Sequence, residues 1–101
     1  MRVLVFFDLP TETANDKRNY RNFRKFLIKS GFMMIQESVY AKLALNSTAV
    51  NQIITDVKKE RPEKGDIQIL SITEKQFSKM EIISGKSNSN VINSDERLLI
   101  L

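Results

Sequence analysis

The chain has 101 residues, with 16 Lys and Arg against 12 Asp and Glu, and a formal net charge of +4. Its length is that of one domain, and a hydrophobic content of 42% is enough for a single core rather than a disordered tail. The sequence contains no cysteine and no histidine. Disulfides, thiolate chemistry and histidine-based catalysis or metal binding are therefore excluded, and any catalysis would depend on carboxylates, hydroxyls, lysines or an oxygen-bound metal.

Residues 2–7 form a continuous β-rich run, in which the five residues 3–7 are all apolar, and this predicts a strand buried on both faces at the centre of a sheet. Pro10 ends the strand, and a turn is predicted at residues 11–13. The run is too short for a signal peptide or a membrane span, so we expect a cytoplasmic protein with no membrane partner.

A helix is predicted over residues 13–30, with Gly31 as its C-terminal stop. Its apolar side has Asp16 and Asn19 at the margins and consists of four large side chains: Tyr20, Phe23, Phe26 and Leu27. The other side is basic over an arc of about 140°, at 3.6 residues per turn. Its cations are Lys17, Arg18, Arg21, Arg24, Lys25 and Lys29.

This basic side is the strongest functional feature of the sequence. Neighbouring like charges on a helix repel by about 0.2–0.5 kcal/mol per pair, and no acidic residue stands between positions 17 and 36 to relieve that repulsion. A nucleic-acid backbone would relieve it and release counterions. The alternative is a merely solubilising face. An anionic membrane is less favoured because the apolar side of the helix is needed for the core.

The middle of the chain predicts two strands within residues 32–45, with a tight break near Gln36 and Glu37. A second helix then begins after Asn46 or Ser47 and ends before Pro62. Its apolar stripe consists of Val50, Ile53, Ile54 and Val57. Residues 67–72 alternate apolar and polar, which predicts a strand with one exposed face.

The resulting order β-α-β-β-α-β predicts an α+β, ferredoxin-like fold, with a four-stranded antiparallel sheet and two helices on one face. A short helical turn is predicted around Phe77, and a short strand is possible near residues 80–83. We divide the chain into a ferredoxin-like domain at 1–85, a polar flexible loop at 86–96 and a C-terminal strand at 97–101. The strand is expected to dock on a sheet edge of a second copy and so form a homodimer, the alternative being its own sheet.

Asp8 is the sharpest single residue, because it lies where the buried first strand emerges next to a turn. A carboxylate there can bind Mg²⁺ through oxygen and water, and two copies could meet across a dimer axis. The alternative is that Asp8 only caps the turn. A metabolite-binding regulatory domain is a further candidate function. RNA-recognition modules share the fold class, but the strand at 67–72 has no aromatic residue on which bases could stack.

The chain resembles the CRISPR-associated protein 2 family in several segments whose order also matches. These are VLVFFDLP at 3–10, YRNFRKFL at 20–27, GF at 31–32 followed by QESVY at 36–40, and GDIQIL at 65–70. The segment TEKQF at 73–77 resembles, more narrowly, members from single-effector type II systems. Ser38 and Tyr40 follow the family's hairpin pattern, but the sequence assigns them no chemistry.

The resemblance implies a homodimer of ferredoxin-like subunits with exchanged C-terminal strands that acts in spacer acquisition. There it bridges two dimers of the CRISPR integrase, CRISPR-associated protein 1, while a short foreign DNA duplex lies across the assembly. It also implies a Mg²⁺-dependent endonuclease acting on RNA or double-stranded DNA, with Asp8 as the catalytic and metal-binding residue. One carboxylate per subunit is a sparse site for hydrolysis. We therefore expect a DNA-binding structural subunit, with the nuclease as the alternative, and whether the chain is an enzyme stays open.

Overall fold

In a computed structural model of the chain, the structure describes residues 1–85. Its elements are β1 (Arg2–Asp8), α1 (Ala14–Lys29), β2 (Met33–Gln36), β3 (Val39–Leu43), α2 (Ser47–Glu60), β4 (Asp66–Ile72) and α3 (Glu74–Ser78). The four strands form one sheet in the order β2-β3-β1-β4, and every neighbouring pair is antiparallel. The predicted ferredoxin-like α+β fold is confirmed. The loop predicted at 86–96 and the exchanged strand predicted at 97–101 lie outside the described residues.

The first strand has the central position that its unbroken apolar run predicts, because β1 pairs with β3 on one side and with β4 on the other. Side chains alternate between the two faces of a strand. Val3, Val5 and Phe7 belong to the main core, whereas Leu4 belongs to a second apolar cluster on the opposite face. Both faces of β1 are therefore covered by apolar contacts, which explains why the run does not alternate.

Helix α1 agrees with the prediction to within the cap residues at each end. Thr13 caps its first turn through a capping box, in which the Thr13 side chain accepts from the Asp16 N–H and the Asp16 carboxylate accepts from the Thr13 N–H. The bond to the Asp16 carboxylate explains why Asp16, predicted at the margin of the apolar side, is buried. Phe23 and Leu27 are buried in the main core, with Tyr20 and Phe26 packed against it.

Helix α2 begins after Asn46, whose side chain accepts a hydrogen bond from the Ala49 N–H, and it ends before Pro62. Its predicted apolar stripe faces the main core. Val50, Ile53 and Val57 are buried there, and Ile54 is partly buried against them. Both long helices thus use their apolar sides against one face of the sheet, which leaves the basic side of α1 toward solvent.

The other face of the sheet, here called the open face, is apolar across its full width. Register places Met33, Ala41, Leu4 and Leu70 in one row over the four strands. Helix α3, found where a helical turn was predicted, buries Phe77 against Leu4 and Ala41. The strand suggested near residues 80–83 is wrong, since these residues pair with no strand within the described part and lie exposed.

Candidate functional site

The six predicted cations of α1 all lie on its exposed side, as the helical periodicity requires. We call this surface the basic face; it consists of Lys17, Arg18, Arg21, Arg24, Lys25 and Lys29. Within residues 1–85 no carboxylate forms an ion pair with any of them, the ion pair found there being Arg2 with Glu74. Their charge is thus not neutralised inside the described part of the subunit. The basic face therefore keeps its full attraction for an anionic partner.

Arg24 differs from the other members of the basic face, because its side chain is anchored. Its Nε donates a hydrogen bond of 2.8 Å to the Tyr40 hydroxyl on β3. Tyr40 is fully buried, and its ring stacks on Phe7 at a centroid distance of 5.7 Å. The basic face is thus joined at this one position to the rigid core of the domain.

Asp8 lies at the end of β1, as predicted; its side chain is exposed but not isolated. In the antiparallel β1–β4 pair Asp8 is directly opposite Asp66, the first residue of β4. Directly opposed residues have Cβ atoms roughly 4.5–5.5 Å apart, and like charges there are destabilising. The interpretation of one carboxylate per subunit is therefore wrong: the fold brings two together.

The carboxylate pair lines an open hollow of about 380 Å³ at the end of the sheet. Its lining is completed by residues from β1, β4 and the β2–β3 hairpin: Phe6, Phe7, Ser38, Val39 and Gln68. Ser38 also accepts a backbone hydrogen bond from the Phe7 N–H at 3.1 Å, which fixes the hairpin against β1. The hollow is wide enough to admit a hydrated ion or a phosphate group to the two carboxylates.

Gly65 allows the two acidic residues to meet. Its φ is +100°, a backbone conformation that residues other than glycine rarely adopt. A Cβ atom at this position would stand 2.8 Å from the Asp8 carbonyl oxygen and 2.6 Å from Leu9 Cδ2. The turn into β4 therefore passes against the end of β1 only because residue 65 has no side chain.

The donor set of this pair suits an oxygen-preferring cation. Mg²⁺ usually keeps several waters and is bound through one or two carboxylates, which is what Asp8 and Asp66 supply. Within residues 1–85 no group of three or more acidic side chains comes together. The remaining ligands would thus be water, a substrate phosphate or groups of a second copy.

Sequence reasoning identified the basic face and Asp8 but missed Asp66 and the role of Tyr40. The signal for Asp66 was present, because the predicted fold makes β1 and β4 antiparallel neighbours and Asp66 stands at the start of β4. No local signal links Tyr40 to Arg24, since the contact joins a strand to a helix across the hairpin. Neither residue can be found from periodicity alone.

Comparison with known proteins gives a consistent set of similarities. The family model described as CRISPR associated protein Cas2 matches residues 1–80. A protein of Treponema denticola named CRISPR-associated endoribonuclease Cas2 is 52% identical over the whole of both chains. Proteins of the same name are 46% identical in Streptococcus mutans, over all of this chain and 93% of that one, and 43% identical in Ligilactobacillus salivarius, over all of both.

A solved structure shows the same fold. The crystal structure of Streptococcus pyogenes Cas2 at pH 6.5 superposes with a TM-score of 0.63 and covers 83% of this chain and 100% of that one, at 21% identity. Within the described residues, no helix has the length and apolar character needed to cross a membrane.

Proposed function

This chain belongs to the CRISPR-associated protein Cas2 family, and from that premise we propose that it is a DNA-binding structural subunit of CRISPR spacer acquisition. In this role a homodimer bridges two dimers of the integrase, CRISPR-associated protein 1, and holds a protospacer duplex on the basic face of α1. The observation that carries the proposal is the exposure of six cations on one helix, without an ion-pair partner in residues 1–85.

The basic face suits a phosphate backbone for a physical reason. Contacts to phosphates release condensed counterions, so they supply affinity without reading the base sequence. A fragment awaiting integration has no fixed sequence, and a surface made of Lys and Arg on one rigid helix imposes none. Two copies related by a two-fold axis would present two such helices to one duplex.

The open face of the sheet supports the homodimer. Met33 and Leu70 lie in its apolar row and remain 45% and 50% exposed, although α3 already covers Leu4 and Ala41. Large apolar side chains left exposed on both edge strands, on either side of α3, favour an interaction surface. We assign it to a second copy, together with residues 97–101 as the strand that the partner receives.

The dimer is tested by sedimentation of two matched variants. Leu70→Asp places a charge on the open face and should shift the equilibrium toward the monomer, as should removal of residues 98–101. Leu45→Asp is the control, because Leu45 is 89% exposed in the loop between β3 and α2, outside the four strands that form the open face. A wild-type dimer constant for Leu70→Asp and for the truncated chain would refute the proposed dimer.

The DNA role is tested by charge removal on the basic face. Arg21→Gln and Lys25→Gln each remove one exposed cation that makes no hydrogen bond to the described part of the chain. We expect weaker binding of duplexes of any sequence, with the salt slope reduced by about one per lost contact. Lys59→Gln on α2 removes the same charge elsewhere and is the control. If the α1 variants keep the wild-type affinity and slope, the proposed surface is wrong.

The integrase role is tested by co-purification with the integrase and a short duplex, comparing wild type with Asp8→Ala. The substitution removes one carboxylate of the Asp8–Asp66 pair and leaves the basic face intact. Assembly that survives it supports a structural subunit. Loss of assembly without loss of dimerisation or duplex binding would contradict that role.

A second function, a metal-dependent endonuclease, is favoured by the Asp8–Asp66 pair and by relatives named endoribonuclease. Asp8 and Asp66 would hold Mg²⁺ through their oxygens, and the bound ion would act as a Lewis acid toward a phosphoryl oxygen. The chain's own contribution is to oppose two carboxylates whose mutual repulsion a cation relieves. Their exposure leaves the ion open to a phosphodiester from solvent.

The nuclease function is tested with Asp8→Asn and Asp66→Asn on RNA and on double-stranded DNA in the presence of Mg²⁺. Loss of cleavage in both supports a shared metal site, and Glu12→Gln, an exposed acid after β1, is the control. Full Mg²⁺-dependent cleavage by pure Asp8→Asn protein would exclude this site. Full cleavage by Asp66→Asn alone would exclude Asp66 as a ligand.

A further inference from the structure

Tyr40 carries a polar atom into the core of the domain, and Arg24 satisfies it. The side chain is fully buried and its ring is stacked on Phe7, so the hydroxyl has a fixed position. The Arg24 Nε donates to that hydroxyl at 2.8 Å, the only hydrogen bond that the Tyr40 hydroxyl makes within the described residues. A buried core group thus determines where a surface guanidinium lies.

The anchor uses only one of the five N–H donors of Arg24. The remaining four belong to the two terminal nitrogens, which form the planar fork that matches two phosphate oxygens. They make no hydrogen bond and no ion pair within residues 1–85. Arg24 is also an exposed residue, so this fork is accessible from solvent.

An open cleft adjoins the fork on the side of α1 that faces β2. Arg24 lines this cleft together with Tyr20, Met34 and Glu37. Glu37 is an anionic neighbour, yet it does not come within ion-pair distance of Arg24. The fork is thus held beside the cleft by the hydroxyl of Tyr40 and not by a salt bridge that a phosphate would have to displace.

We propose that Tyr40 is a positioning residue, which holds the guanidinium of Arg24 ready for two-oxygen contact with a backbone phosphate at the β2 side of the basic face. This inference rests on the proposed DNA role and adds to it a defined phosphodiester contact. The other cations of the basic face lose side-chain freedom when they bind, whereas Arg24 has lost much of it in the free protein. Arg24 then contributes more affinity than its charge alone.

The experiment is a double-mutant cycle between Tyr40→Phe and Arg24→Lys, read by duplex affinity. Tyr40→Phe keeps the ring and every charge but removes the anchor, so affinity should fall by about two- to tenfold, the range expected for ordering one long side chain. Its salt slope should stay at the wild-type value, because the number of cations is unchanged. Arg24→Lys should lower affinity and make it insensitive to Tyr40→Phe, since lysine has no Nε–H donor and no fork.

The controls separate positioning from structure. Thr55→Ala removes an exposed hydroxyl on α2, which lines neither the cleft nor the basic face, and should bind as wild type. Circular dichroism confirms that each variant is folded at the assay temperature. A loss of affinity below twofold in Tyr40→Phe overturns the proposal. So does an equal loss in the Arg24→Lys background, which would mean that Tyr40 acts through the fold and not through Arg24.

The outcome also distinguishes this inference from the proposed function. If Arg21→Gln and Lys25→Gln weaken duplex binding while Tyr40→Phe does not, the basic face binds DNA without a positioned Arg24. If none of the three changes affinity or salt slope, the proposed DNA surface itself is wrong. A weaker Tyr40→Phe protein whose defect disappears with Arg24→Lys supports both.

Discussion

Replacing Gly65 with alanine tests how the carboxylate pair is built. At φ +100° an alanine Cβ would lie 2.8 Å from the carbonyl oxygen of Asp8 and 2.6 Å from Leu9 Cδ2. The first of these is a backbone atom of the strand end that carries Asp8, and it cannot turn aside as a flexible side chain can. We therefore expect Gly65→Ala to push the turn away from β1 and to separate Asp8 from Asp66.

Two costs contribute to the expected loss of stability. An L-residue in the left-handed region costs about 1–2 kcal/mol, and a forced contact in a packed site typically costs about 1–3 kcal/mol. Together they predict that the free energy of unfolding falls by about 2–5 kcal/mol. That is a large part of the total for a domain, which is about 5–15 kcal/mol. Gly31→Ala is the matched control: its φ is +97°, but its nearest contact would be the Lys42 side chain at 3.5 Å. It should lose only the backbone cost.

Urea unfolding followed by far-ultraviolet circular dichroism measures both free energies of unfolding by linear extrapolation. Gly65→Ala should be less stable than Gly31→Ala by the packing cost, with similar slopes against denaturant. Equal losses in the two variants would refute the close approach of residue 65 to Asp8. An unchanged stability in both would also refute the backbone conformation assigned to these turns.

Further predictions concern the ends of elements. Lys42→Met removes the ammonium group that donates to the carbonyl oxygen of Ser30, the C-cap residue of α1, and should cost about 0.3–2 kcal/mol in urea unfolding; an equal stability would show that this group does not cap the helix. Thr13→Ala breaks the capping box with Asp16 and should lower the free energy of unfolding by about 0.5–2 kcal/mol. Thr11→Ala is the control, because Thr11 is a nearby threonine that caps no helix. The hydrogen bond from Arg2 holds the pKa of Glu74 below its ordinary value. The stabilisation from this bond is therefore present at neutral pH and is lost as the pH falls through the lowered pKa. Wild type and Glu74→Gln should differ in stability at pH 7 and converge once the pH is below that pKa.

Much of the fold follows from local patterns in the chain. The unbroken apolar run of β1 requires cover on both faces, and a central strand is where a small α+β sheet provides it. The 3.6-residue period of α1 separates Phe23 and Leu27 from the basic face without any tertiary information. Thr13 and Asn46 mark helix starts because their side-chain oxygens can accept from free backbone N–H groups. These features depend on neighbours within one turn or one strand, and the sequence predicts them correctly.

The tertiary structure alone decided how the candidate functional side chains combine. Asp8 and Asp66 are far apart in the chain and meet because β1 and β4 pair in a particular register. Arg24 and Tyr40 are 16 positions apart and meet because α1 packs over β3. Periodicity identifies which side of an element a residue occupies, but it does not say which residue of another element stands opposite. The sequence by itself determined the basic face and the position of Asp8. Packing and register decided that Asp8 has an acidic partner and that Arg24 is held by a buried hydroxyl.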